Sequence, residues 1–383
     1  MVMDIDTIPN HLADQRDNAP DELQHYFIQF EDFWERKLWH ELTDSLIEFF
    51  DLPASAPQRI PLYKNFILSF VDRINKLKLV TLGLSAGTQF KSDEERLTFV
   101  KALAEKANTP ASQDAYVFAN VQVANILLDA DHSDEARKTL DECEKILDSF
   151  DAVETVVHAA FYKANAAYYK DNSDFAAYYK NALLYLACVP IESLSLSDRQ
   201  SRAYDLSIAA LVSDSIYNFG ELLLHPILDS LSGTPQAWLR DLLFAFNRGD
   251  LRAYDQLQGH ISKNPLLRSH KTFLYQKICL AALTETVFRR PPHDRALAFG
   301  TISEETNVKP DEIEHLVMKA LSLGLLRGSI DQVAEVARIN WVQPKVLDMK
   351  QIESMRARLG EWDTSVNQLG TWIEGVGKDV WAA

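Results

Sequence analysis

The chain is poor in the residues that cross-link, punctuate or neutralise. Three cysteines in 383 residues, Cys143, Cys188 and Cys279, stand at least 45 positions apart with no C-x-x-C pair. That count and spacing exclude a disulfide framework and a zinc knuckle and point to a reducing compartment. Glycine and proline supply 13 and 14 residues, about 7% of the chain against a usual share near ~12%, so turns are few and elements long. Cations are scarce as well: 39 Lys and Arg face 55 Asp and Glu, a formal charge of −16. A polyanion gains no counterion release on phosphate, which makes nucleic acid and anionic membrane poor partners unless the cations cluster. No apolar run approaches the roughly 20 residues of a membrane span. No N-x-[ST] acceptor occurs, and the opening MVMDIDTIPNHLADQ lacks the basic and apolar regions of a signal peptide. These absences predict a soluble intracellular protein.

What is present is apolar periodicity. Hydrophobic residues make up 47% of a chain longer than one core usually serves, which calls for several domains or a repeat array. Residues 1–20 are polar, acidic and broken by proline, and read as a mobile tail. From Asp21 onward Leu23, Phe27, Phe30, Trp34 and Leu38 recur at three- and four-residue steps on one helix face. Pro53, Pro57 and Pro61 end that stretch. Phe66, Phe70, Ile74, Leu77 and Leu84 continue the pattern in a second helix, and S-D-E-E at Ser92 resembles a capping box opening a third.

A shift of forty residues aligns Val117–Ala136 with Val157–Ala176 at eight of twenty positions, where chance gives about one or two. The matched residues are small ones, which let helices approach, and a polar D-x-S-D turn whose Ser or Asp can cap the next helix. A looser third unit covers Leu206–Leu228. Helical pairs of this kind bury their apolar faces only by stacking. The pattern predicts a mostly α protein with a right-handed TPR-like solenoid over about 21–265, the handedness being that of the usual helical-repeat architecture.

After Pro291-Pro292 the texture changes. Arg295–Phe299 is short and apolar, Ser303-Glu304-Glu305 reads as a helix start, and Pro310-Asp311 opens a helix that Gly324 is placed to end. Strand-like stretches Leu325–Ile330 and Val333–Trp341 follow, joined at Asp331-Gln332. Strand, two helices and a hairpin make a winged helix, assigned to 266–346. Over 347–383, Ile352, Met355, Leu359, Trp362, Val366, Leu369 and Ile373 step by 3, 4, 3, 4, 3, 4, a strict heptad seam that wants another helix against it. Asp348 with Gln351 can cap that helix, and Gly360 and Gly370 interrupt it.

Motifs that could carry chemistry fail on context. Gly83-Leu84-Ser85-Ala86-Gly87 matches a nucleophile elbow, which would make Ser85 the nucleophile of a serine hydrolase. The helical periodicity before it and the missing oxyanion loop favour a helix-terminating glycine turn. Asp129, Asp131 and Ser133 imitate a calcium loop, with Asp134 where glycine is required. The histidines are scattered, Glu312 and His315 form a solitary E-x-x-H, and no phosphate-cradling glycine loop occurs. A winged helix raises DNA binding. Here Asp311, Glu312 and Glu314 sit where its second helix would meet phosphates, and Arg289, Arg290 and Arg295 do not make a phosphate-tracking stripe.

Helical repeats running into an acidic winged helix and a seam helix resemble the PCI family of scaffold subunits, shared by the proteasome lid, the signalosome and the large translation initiation factor. The resemblance is carried by FEDFWERKLWHELTDSLIEFF (Phe30–Phe50), SIYNFGELLLHPI (Ser215–Ile227) and KALSLGLLRGSIDQVAEVARINWVQPKVLD (Lys319–Asp348). These stretches are most similar to the proteasome-lid branch, over nearly the whole chain. The resemblance implies a PCI domain over about 175–346 that joins neighbours edge to edge through Leu326, Arg327, Ile330, Val333, Val336 and Ile339, and a terminal helix that enters a common bundle. It implies no catalysis, no cofactor and no metal. It further implies a hetero-oligomer with other PCI subunits and MPN-domain subunits of the lid, a part in ubiquitin-dependent proteolysis, and a cytoplasmic and nuclear location without nucleic acid or membrane. A PCI subunit of the signalosome or of the initiation factor is the alternative.

Overall fold

The computed structural model describes residues 8–90, 92–110, 112–150, 154–291, 294–344 and 349–381. It divides into two compact units, Met1–Ser193 and Leu194–Ala383.

The first unit is a run of ten helices among its described residues: α1 (Ile8–Asp17), α2 (Asp21–Glu35), α3 (Trp39–Asp51), α4 (Ala56–Asn65), α5 (Lys76–Gly87), α6 (Asp93–Ala107), α7 (Gln113–Asp129), α8 (Ser133–Leu147), α9 (Thr155–Asp171) and α10 (Phe175–Cys188). The apolar stripe of α2 buries Leu23, Phe27 and Phe30 against α3. There the rings of Phe27 and Phe30 meet Phe49 edge-on, at centroid distances of 5.4 and 5.6 Å. Such a pair adds about 0.5–1.5 kcal/mol to the burial of its area.

Several details depart from expectation. The mobile tail proposed for residues 1–20 is, over its described part, the helix α1, with Ile8 and Leu12 fully buried and Arg16 paired to Glu31 at 3.3 Å. Two apolar residues four apart suffice because α2 supplies the opposing face. Of the three prolines only Pro53 ends the helical stretch: α3 stops at Asp51 with Leu52 extended before Pro53, whereas Pro57 sits in the first turn of α4 and Pro61 lies inside it. The helix inferred across Phe66–Leu84 is interrupted by a 3₁₀ turn at Ile67–Phe70, and Asn75 restarts the chain by accepting from the amide of Leu77 at 2.8 Å. Ser92 does precede a helix, but its side chain makes no cap.

The repeat is real, with a longer structural period. Helices α7 and α9 begin at Gln113 and Thr155 and end at Asp129 and Asp171, so both boundaries recur at 42 residues. Both helices close alike: Asp131 and Ser173 adopt φ of 60° and 58°, and His132 and Asp174 each donate back at 2.9 Å to Leu127 and Tyr169. Identities at forty residues therefore align small residues along the helices and not the turns. Of the D-x-S-D acids, Asp174 caps α10 through the amide of Ala177 at 3.1 Å, whereas α8 has no side-chain cap.

The second unit contains α11 (Leu196–Val212), α12 (Gly220–Leu224), α13 (Trp238–Arg248), α14 (Leu251–Lys263), α15 (Pro265–Ser269), α16 (Lys271–Arg289), β1 (Ala296–Ala298), α17 (Phe299–Thr306), α18 (Pro310–Ser322), β2 (Leu326–Asp331), β3 (Val336–Val342) and α19 (Met349–Trp381). Ser303, Glu304 and Glu305 lie in the later part of α17, which begins at Phe299 directly after β1. Gly324 ends α18 at φ +70°, with Leu325 donating to Ala320 at 3.0 Å. Leu297, Ile302, Ile313, Val317, Leu326 and Ile339 form a common core, so helices, hairpin and short strand fold as one winged module.

Candidate interaction surfaces

The three-stranded sheet has the order β1-β3-β2. β3 is thus the central strand: Val336 pairs with both Ala298 and Asp331, Ile339 faces Gly328, and the Ile339 amide donates to Arg295 at 2.9 Å. This corrects the expectation that both hairpin strands are free edges. Val336 and Ile339 are already paired, because the short Ala296–Ala298 segment covers the side of β3 that a two-stranded wing would expose. Among the described residues the open edges belong to β1 and β2.

The proposed edge residues have different surroundings. Leu326 and Ile339 point into the core, and Ile330 and Val336 are half-buried. Arg327 is exposed, with its guanidinium 4.6 Å from the ring centroid of its cross-strand partner Trp341. A cation over an indole face is worth about 0.5–1 kcal/mol at such a site. Val333 is 98% exposed in the turn between the strands. Beyond Arg327 the register shifts, and at Gly328 any Cβ would collide with the carbonyl of Arg338, so only glycine fits where the strands draw together.

Helix α18 exposes Asp311 and Glu312 in its first turn, and Glu314 accepts from Gln332 of the wing at 3.1 Å. Carboxylates there favour the helix N-terminus and repel phosphate.

Helix α19 presents the heptad seam in full. Ile352, Met355, Leu359, Trp362, Val366, Leu369 and Ile373 are each between 45 and 66% exposed, and Trp372 beside them is 63% exposed. Gly360 and Gly370 lie within the continuous helix. A side-chain tie to the rest of the unit runs from Arg358 to the carbonyl of Arg289 at 2.5 Å. The Asp348 cap falls outside the described residues.

The catalytic look-alikes take structural places. Ser85 lies inside α5; Gly83 serves close packing there, and Gly87 is the helix's last residue. A Cβ on Gly83 would sit 2.6 Å from Leu103 Cδ2, whereas Gly87 has no positive φ and a Cβ there would make only ordinary contact with Phe99 at 3.6 Å. Burial pushes the thiols of Cys143 and Cys279 up to about 12 and 11, away from thiolate chemistry. Among the described residues no group of three or more His, Cys, Asp and Glu side chains could hold a metal, and no helix is long and apolar enough to cross a membrane.

Sequence reasoning missed Lys277. It occupies the core-facing side of α16 at 1% exposure, its Nζ donating to the carbonyls of Ala210, Leu211 and Ser213 at 2.8, 3.1 and 2.6 Å. The Tyr217 and Phe219 rings lie 5.3 Å away. The last carbonyls of α11 lack helical partners, and the Lys277 amino group supplies donors to them. The signal was a lone lysine among Phe273, Leu274, Ile278, Cys279 and Leu280.

Comparison with known proteins covers the whole arrangement. Three family models match: PSD13 N-terminal repeats over residues 26–243, the PCI domain over 251–341, and the Rpn9 C-terminal helix over 345–377. The chain is 45% identical over 369 residues to the probable 26S proteasome regulatory subunit rpn9 of Schizosaccharomyces pombe, covering 96% of each chain. It is 41% identical to the 26S proteasome regulatory subunit RPN9 of Saccharomyces cerevisiae, covering 99% of this chain and 98% of that one. A third relative, the 26S proteasome non-ATPase regulatory subunit 13 homolog B of Arabidopsis thaliana, is 36% identical over 96% of this chain and 97% of its own.

Proposed function

The chain belongs to the Rpn9 family of PCI-domain 26S proteasome regulatory subunits, and from that premise we propose that it is a non-catalytic scaffold subunit of the proteasome lid. Its work is positional. The wing offers β2 as an open edge, since strand edges carry unpaired amides and carbonyls that pair with another strand. The seam of α19 offers an apolar stripe to a helix bundle. In this reading the partners are other PCI subunits and MPN-domain subunits of the lid, and the chain acts in the cytoplasm and nucleus in ubiquitin-dependent proteolysis. The repeats, PCI domain and terminal helix each offer surfaces to those neighbours in this reading, with no need for a cofactor.

The observation that carries the reading is identity of 41–45% sustained over 96–99% of this chain, through repeats, winged module and terminal helix alike. Affinity purification of the tagged full chain, followed by mass spectrometry, tests it. Regulatory-particle subunits in stoichiometric yield are expected; recovery of signalosome or initiation-factor subunits in their place would refute it.

A further inference from the structure

We propose that the seam of α19 pairs the chain with a second copy of itself, as a parallel, in-register two-stranded coil, whenever the chain is outside a larger assembly. The inference goes beyond the lid reading and stands apart from it, since it concerns the free chain. An a/d register places Ile352, Leu359, Val366 and Ile373 at a, with Trp362 and Leu369 among the d positions. Three of those four a residues are β-branched, the choice that favours two strands.

The seam side chains and Trp372 are each about half exposed. Aromatic side chains bury 150–250 Å² and aliphatic ones somewhat less, so with about half of each exposed, each copy can remove on the order of 650 Å² from water. The pair then exceeds the roughly 1,200 Å² at which specific interfaces begin. Left in water, that stripe is an apolar patch larger than a soluble monomer usually exposes.

Charge chooses the orientation. Arg358 falls at g and Asp363 at e, both exposed. In a parallel coil a g residue faces the e residue five positions on in its partner, so Arg358 meets Asp363 of the second copy, twice by symmetry. Antiparallel pairing about the seam's centre instead sets Asp363 beside Asp363 of the second copy, two like charges together. The Arg358 guanidinium, now bound to the Arg289 carbonyl, exchanges a neutral acceptor for a carboxylate.

Sedimentation equilibrium on the full chain should show a dimer that dissociates on dilution. Leu359→Asp/Leu369→Asp should be monomeric with unchanged thermal unfolding of the rest of the chain. Arg358→Glu should weaken the dimer severalfold, and Arg358→Glu/Asp363→Arg should restore it. In a Cys188→Ser background, Leu369→Cys should oxidise to a disulfide-linked dimer. The proposal is overturned by a wild-type monomer at every concentration, by a dimer that survives the double aspartate variant, or by Leu369→Cys cross-linking only to a Leu359→Cys copy, the antiparallel result.

Discussion

The Nζ of Lys277 donates to the carbonyl oxygen of Ser213 at 2.6 Å, across 64 residues of chain. With the bonds to Ala210 and Leu211 it ties the end of α11 to the middle of α16. Lys277→Met keeps the stem's volume and leaves three buried carbonyls without a donor. A loss of about 2–4 kcal/mol is expected in urea unfolding of the full chain, because each unpaired buried group costs ~1–3 kcal/mol less whatever the site can relax. A loss below half that would mean water replaces the amine.

The same residue gives a pH signature. Burial lowers the Lys277 amine to about 7, against the opposing field of Asp214. The unfolded chain holds that proton to about 10.4 and the folded chain releases it near 7, so the unfolded state binds more protons between those values. Stability contributed by this group is then complete above the unfolded value and lost as pH falls through about 7. Wild-type stability minus that of Lys277→Met should rise from pH 7 toward pH 10. A flat difference across that range would contradict the assignment.

Leu12 tests whether α1 belongs to the fold. Fully buried against the first unit's core, it should cost about 2–5 kcal/mol on truncation to alanine. The measurement is chemical denaturation, and a mobile tail would give no change.

Gly249 and Gly324 separate backbone strain from close approach. Both have positive φ, +65° and +70°, but a Cβ on Gly249 would lie 2.5 Å from Ala282 Cα whereas Gly324 faces open space. Alanine at Gly324 should cost about 1–2 kcal/mol for the left-handed conformation alone. Gly249→Ala should cost clearly more, since α13 must move off α16. Equal losses in thermal unfolding would remove the packing argument.

Much of this was legible because periodicity survives in sequence whatever the packing. The stripe of Leu23, Phe27 and Phe30 and the seam from Ile352 to Ile373 are local patterns, and helices carry both. Features set by non-local neighbours were not legible. Ala296–Ala298 is too short to announce itself as the strand that covers Val336 and Ile339. The buried apolar pair in α1 is hidden among polar residues, and the 42-residue period appears only once the turns are fixed by positive φ at Asp131 and Ser173. Lys277 is the sharpest case. A lysine amid apolar residues reads as a break in the pattern until the free carbonyls of α11 come into view.

The central claim is that the exposed seam of α19 holds the chain in the lid, and the most direct measurement is incorporation of tagged Leu359→Asp/Leu369→Asp in cells that lack the unmodified chain. Native gel separation with subunit-resolved mass spectrometry reads the outcome. A folded variant, with wild-type thermal unfolding, absent from the regulatory particle is the predicted result; incorporation at the wild-type level would contradict the account.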